Sequence, residues 1–251
     1  MNNSPFTIYY SLKTIKRLPL YAIMIYSLFP FSLIHSQTLE GTTGLFFIPT
    51  AEMQKDGTVL IGANFVNKEL VSFSGYERNA FTPYFSFTFL PFVEMSGKIT
   101  RLINSNVSTQ GIGDRTISLR IRFISEGDYF PSILVGLHDL ACVYGGTEAI
   151  HNNALYLVGT KNFRLESNFL TNISIHTGYG LDIIQARTHN FVGIFGGIDL
   201  KLFNVLELMA EYDGNRPNGG FRLKLFNHIS ILCGYLNYKY FSGGASVSFQ
   251  L

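Results

Sequence analysis

The stretch Thr116-Ile117-Ser118-Leu119-Arg120-Ile121-Arg122-Phe123-Ile124 sets the reading of the whole chain. Its apolar residues recur at every second position, and hydroxyls and two arginines stand between them. Side chains along a β-strand point alternately to its two faces, so this stretch makes one apolar face and one charged face. The same period continues in both directions. Phe85, Phe87 and Phe89 alternate with Tyr84, Ser86 and Thr88, and Val93, Met95, Gly97 and Ile99 with Glu94, Ser96, Lys98 and Thr100. Further on, Ile194, Ile198 and Leu200 alternate with Phe195, Asp199 and Lys201. Leu206, Leu208, Ala210 and Tyr212 alternate with Glu207, Met209, Glu211 and Asp213, and Phe221, Leu223 and Leu225 with Arg222 and Lys224.

No window carries a convincing helical period. The alternation predicts about twelve strands, within a range of ten to fourteen, at roughly 58–66, 82–90, 92–101, 115–125, 131–139, 154–163, 168–178, 190–201, 204–213, 219–226, 228–237 and 242–250. Turn-forming clusters separate them, for example Gly214 to Gly220 with Asn215, Pro217 and Asn218. No linker or composition shift divides this region, so it reads as one domain.

Alternation alone fits a soluble sandwich with its apolar face inward as well as a membrane barrel with that face outward. Composition separates the two. Of 251 residues only 14% are charged, where a soluble domain carries about a quarter. The final strand also keeps the period to the chain end, with Ala245, Val247, Phe249 and Leu251 against Ser246, Ser248 and Gln250. The fold expected is therefore all-β, a single antiparallel transmembrane β-barrel, with a periplasmic or surface sandwich as the competing architecture.

The N-terminus points the same way. Lys13, Lys16 and Arg17 precede an uncharged stretch from Leu18 to Ile34, which meets small and polar residues at Ser36, Gln37 and Thr38. Those are the parts of a secretory signal peptide. A retained anchor helix would need about 20 apolar residues, and this stretch is interrupted by Pro19 and Pro30. Residues 1–36 are expected to be a cleaved leader, residues 37–57 an N-terminal segment and residues 58–251 the barrel, located in a bacterial outer membrane and bounded by its lipid. Without the three leader cations the formal charge of +2 becomes −1, from 16 basic against 17 acidic side chains. That balance offers no basic surface for nucleic acid.

The charged positions of the polar face become candidate lumen residues: Glu94, Lys98, Arg120, Arg122, Asp199, Lys201, Glu207, Glu211, Asp213, Arg222 and Lys224. Their mixed signs suit mutual neutralisation inside a wet barrel. Paired carboxylates among them could serve glycoside chemistry at suitable separation, and His138-Asp139 could form a dyad. Neither comes with a nucleophile elbow or any motif that gathers serine, histidine and acid. His176 falls on the side of Asn172 and Ser174, as a lumen residue would. Cys142 and Cys233 lie far apart without histidine or cysteine neighbours at metal spacing, and read as small hydrophobes, with a bridge as the alternative. No cofactor or metal is expected, and no catalytic residue is assigned.

Several blocks together resemble the YjbH/GfcD family of outer-membrane proteins. Gly41-Thr42-Thr43-Gly44-Leu45-Phe46-Phe47-Ile48-Pro49-Thr50-Ala51-Glu52-Met53, followed by Asp56-Gly57-Thr58, is similar to the opening of that family. Phe92 to Gly97 with Arg101, Gly113 to Arg120, Glu126 to Pro131, Gly136 to Asp139 and Glu211 to Gly214 resemble its later blocks, in order. Many relatives are longer, and many carry a lipoprotein cysteine that this leader lacks. The resemblance implies a non-enzymatic barrel taking part in export or surface assembly of extracellular or capsular polysaccharide, with polysaccharide and other export proteins as partners. A general small-solute porin or structural membrane protein is the alternative, and a lipid- or glycan-modifying enzyme would need its catalytic groups to converge at one rim.

The opening segment carries its own expectation. Leu45, Phe46, Phe47, Ile48 and Pro49 form an apolar run that precedes the first strand and must be buried somewhere. It is expected to enter the barrel or cap its periplasmic mouth, against the plainer reading of an extra strand or tether.

Overall fold

The computed structural model describes residues 37–73, 76–103, 114–140, 153–167, 169–183 and 191–251. The expected leader and Cys142 lie outside these residues. The strands are β1 (Thr58–Val66), β2 (Ser72–Phe73), β3 (Tyr76–Glu77), β4 (Ala80–Phe89), β5 (Val93–Leu102), β6 (Asp114–Ile124) and β7 (Ser132–His138). They continue with β8 (Ala154–Arg164), β9 (Leu170–Leu181), β10 (Gly193–Leu202), β11 (Leu206–Tyr212), β12 (Pro217–Leu225), β13 (Ile229–Leu236) and β14 (Tyr240–Gln250).

Twelve of these form a closed antiparallel barrel in which each strand pairs with its sequence neighbours, and β1 closes the ring by pairing with both β14 and β4. The expected barrel of about twelve strands is what forms. Closure leaves no free sheet edge, so every strand finds backbone partners on both sides. The β2–β3 ladder is a separate hairpin inside the β1–β4 connection. With two residues in each strand it is too short to show a period.

The alternation becomes an inside and an outside. On β6, Thr116, Ser118 and Arg120 are buried while Ile117 and Phe123 are exposed. On β4, Thr82, Tyr84, Ser86 and Thr88 are buried while Phe81, Phe85 and Phe89 are exposed. This inverts a soluble protein, which hides its large apolar side chains. Cys233 belongs to the outward set, opposite Phe221 and Gly243, and carries a free thiol.

Exposed aromatics stand at both ends of the strands, with Phe85 and Phe221 between them. Phe89, Phe123, Phe163, Phe203, Phe226 and Phe249 stand at the end where the chain enters β1 and leaves β14. Tyr179, Tyr212, Tyr235, Tyr238 and Phe241 stand at the other. Tyr240, at the start of β14, instead packs partly buried against the interior cluster.

Several connections are tight. Phe203 and Asn204 both adopt positive φ (50° and 57°), and the Val205 N–H donates to the Leu202 carbonyl at 3.1 Å. Phe226–Asn227 and Asn237–Tyr238 repeat the pattern. This is the hairpin turn whose twist matches that of its strands. Phenylalanine rarely adopts such a backbone; here the Phe203 ring is exposed and meets Phe169 edge to face at 5.0 Å.

Candidate functional site

The interior is occupied by the chain's own N-terminal segment. Leu39, Leu45, Phe46, Phe47, Ile48 and Ala51 are buried, and the polar residues Gln37, Thr38, Glu40, Thr42, Thr43, Thr50 and Gln54 are buried with them. The segment folds into tight turns, with the Leu45 N–H donating to the Ile48 carbonyl at 3.0 Å and the Leu39 N–H to the Phe46 carbonyl at 3.0 Å. It is too short to satisfy all its peptide groups by itself, and buried peptide groups need partners. The barrel wall supplies them.

Two arginines supply the carbonyl contacts. Arg120 on β6 pairs through Nη1 with Glu94 Oε1 on β5 at 2.7 Å, and its Nη2 donates to the Thr50 carbonyl and, at 3.2 Å, to the Glu52 carbonyl. Arg222 on β12 pairs through Nη1 with Glu207 Oε1 on β11 at 2.9 Å. Its Nη2 donates to the carbonyls of Gln37, Gly44 and Leu45 at 3.1, 2.9 and 2.7 Å. Glu94 lies directly opposite Arg120 in the ladder, and Glu207 directly opposite Arg222. In each case one face of the guanidinium meets the neighbouring strand and the other meets the segment.

A carboxylate supplies the N–H contacts. Glu211 on β11 accepts hydrogen bonds from the successive peptide N–H groups of Phe46, Phe47 and Ile48, at 3.1, 2.9 and 3.2 Å. Such a turn presents its amides as an anion-binding concavity. Glu94 adds the Thr43 N–H at 2.9 Å and the Thr43 hydroxyl at 2.5 Å. Asn64 on β1 donates to the Leu39 carbonyl at 2.9 Å.

The segment also brings two acids of its own. Glu40 meets Lys98, and lies 3.0 Å from His138 Nε2. Burial opposes ionisation of Glu40, but the cation of Lys98 and the contact with His138 outweigh it and hold the carboxyl at about 2. Glu52 lies 3.3 Å from Lys201 Nζ. Lys224 completes this region, 3.2 Å from Glu207 Oε2.

Apolar packing fills the remainder. Leu45, Phe46, Phe47 and Ile48 cluster with inward-facing Phe191, Phe195, Met209, Leu232 and Leu236, and the rings of Phe47 and Phe191 are 4.8 Å apart. Gly220 and Gly234, directly paired between β12 and β13, lie beneath the Phe46 ring. A Cβ added at Gly234 would sit 2.8 Å from Phe46 Cε2, and one at Gly220 3.1 Å from Cδ2. The wall is hollowed at this point for that ring.

The remaining charged positions serve more local ends. Asp213 accepts from the Asn215 and Arg216 N–H groups at 2.9 and 2.7 Å and pairs with Arg216 Nε at 3.1 Å, which organises the β11–β12 turn. Arg122 donates to the Pro91 carbonyl at 2.8 Å. Asp199 lies 2.9 Å from His176 Nε2, and Thr160 Oγ1 lies 2.9 Å from His176 Nδ1 while accepting the Ala51 N–H at 2.8 Å. Ser118 Oγ lies 2.8 Å from His138 Nδ1. Both hydroxyl–imidazole–carboxylate series sit buried within the barrel. They join strands, and in each case the segment, that are distant in sequence, so spacing gave no sign of them. Among the described residues no group of three histidine, cysteine or acidic side chains is placed to hold a metal ion.

Fold and interior together define a closed twelve-stranded barrel with an apolar exterior and an occluded, charge-lined lumen. The chain belongs to the YjbH family: the family described as "Exopolysaccharide biosynthesis protein YbjH" matches residues 36–222, which span the inner segment and the strands as far as Arg222. No curated protein matches the chain. A solved KdgM porin is similar over 77% of this chain and 99% of that one, at 10% identity and a TM-score of 0.45, too distant to bear on function.

Proposed function

We propose that this protein is a non-enzymatic outer-membrane barrel that takes part in export or surface assembly of an extracellular polysaccharide, with residues 37–57 as a plug that must move for the lumen to open. Family membership supports the link to exopolysaccharide. The exposed apolar exterior and aromatic rims suit a bilayer, where only a closed barrel satisfies every strand. The observation that carries the reading is how the segment is held, by the paired guanidinium groups of Arg120 and Arg222 and by the Glu211 carboxylate. Polar contacts of this kind exchange for contacts with a hydroxyl-rich polymer, whereas a purely apolar plug would have nothing to exchange. Twelve strands enclose a narrow interior, so passage of a polymer calls for partner proteins that act on the plug.

Full-length protein in planar bilayers tests this. A closed resting state, and openings that rise in the presence of exopolysaccharide from a producing strain, are expected. A channel that is open at rest and indifferent to polysaccharide would instead mark a general small-solute porin.

A further inference from the structure

The proposal above leaves the chemical character of the polymer open, and resting on that reading, we infer that it is acidic, bearing carboxylates along its length. The inference comes from what the plug leaves behind. Glu40 and Glu52 are seated on the wall lysines Lys98 and Lys201, and plug carbonyls are seated on Arg120 and Arg222. Displacing the segment therefore strips an acceptor from four cationic side chains. Against that, two wall carboxylates lose donors: Glu211 those of Phe46, Phe47 and Ile48, and Glu94 those of Thr43.

With four cations losing acceptors and two carboxylates losing donors, the opened wall needs acceptors more than donors, and at Lys98 and Lys201 the acceptor lost is an anion. A neutral glucan offers hydroxyls, which accept weakly. A uronate-type polymer offers a carboxylate as well, and charge-assisted hydrogen bonds are roughly twice as strong as neutral ones. The vacated cations are also spread along the barrel. Lys201 lies near the end of β10 beside the short β10–β11 turn, whereas Lys98 lies on the half of β5 away from the β4–β5 turn. A chain of carboxylates could hand over from one to the other, and the plug's two acids mimic such a ligand in the resting state.

The test uses full-length protein reconstituted in planar bilayers, with block of the current carried by its openings, recorded until openings are seen in every variant, by an alginate-derived hexauronate compared with maltohexaose. Glu52→Gln, near the rim, removes the carboxylate paired with Lys201 without removing a cation. It is expected to raise hexauronate affinity about tenfold, since an anion no longer has to displace a carboxylate there, a change of about 1.4 kcal/mol. Raising KCl from about 0.1 M to about 1 M should weaken that block, and Lys201→Gln should reduce it. Glu52→Gln/Lys201→Gln, which removes both charges of the pair, should lose the gain and guards against a folding artefact.

Equal block by the two sugars, or a hexauronate affinity that Glu52→Gln leaves unchanged, would overturn the acidic-polymer inference while the polysaccharide reading stands. Block by neither sugar in any variant would overturn both.

Discussion

Arg120 and Arg222 stand on β6 and β12, six places apart in a ring of twelve strands, and so face each other across the lumen. Each donates one guanidinium nitrogen to a glutamate on the adjoining strand and another to carbonyls of the inner segment. The plug is thus gripped from diametrically opposite sides by the same device.

Each grip should be costly to break from one side only. Arg120→Met leaves Glu94 buried without its cation, and is expected to lower stability by about 3–5 kcal/mol, as for other broken buried pairs. Denaturant unfolding in detergent micelles would measure it. Glu94→Gln added to Arg120→Met should recover part of the loss, because the uncompensated charge goes.

Glu211→Ala removes the acceptor shared by the Phe46, Phe47 and Ile48 N–H groups. Leaving a buried donor without an acceptor costs about 1–3 kcal/mol, and three donors are involved, so the displaced plug should become at least about tenfold more populated. The frequency of channel openings in planar bilayers reports that population.

Gly234→Val places a Cβ against the Phe46 ring. Overpacking of this kind costs about 1–3 kcal/mol. Phe46→Ala in the same background should relieve the part of the clash that lies against the ring, though not the part against the Gly219 carbonyl, so the two substitutions together should cost less than their sum in thermal unfolding.

Acid should loosen the plug through Glu40. Its carboxyl is held at about 2 against an ordinary 4.5, so its contribution is full above about 4.5 and disappears as pH falls toward 2. Protease access to residues 37–57 should rise over that interval in the wild type. In Glu40→Gln access should be higher at neutral pH and should lack this acid-dependent step.

The exterior predicts sensitivity by depth. Ile198→Arg, near the middle of β10, should cost about 2–4 kcal/mol of stability in lipid, whereas Phe123→Arg at a strand end should cost about 0–1. Unfolding from lipid vesicles would distinguish them.

Much of the barrel could be read from single strands, because the information is local. Ile117, Leu119, Ile121 and Phe123 declare their face within nine residues, and β1 forms at Thr58–Val66, the span expected for the first strand. The set of polar inward positions was legible for the same reason. Their partners were not. Glu211 reaches Phe47 across 164 positions of sequence, and Asp199 meets His176 where a nearby lysine, Lys201, offered itself. Register between strands and the path of the plug decide such pairs, and neither leaves a periodic trace. Asp213 shows a further limit: it shares the period of Glu207 and Glu211, yet it lies one residue beyond β11 and is drawn into the turn by the Asn215 and Arg216 amides.

The plug joins the barrel at Gly57, whose positive φ of 74° turns the chain into β1, and the Gly57 carbonyl accepts the N–H of Leu251 at 3.1 Å. The door and the seam therefore share a hinge post. Any pull on the inner segment is delivered first to β1, the strand that joins the beginning of the barrel to its end. On the proposed gating, a partner that draws the plug out would be hauling on the last weld of the cylinder, so the strength of the β1–β14 ladder would set how hard such a gate could be worked without unzipping the wall.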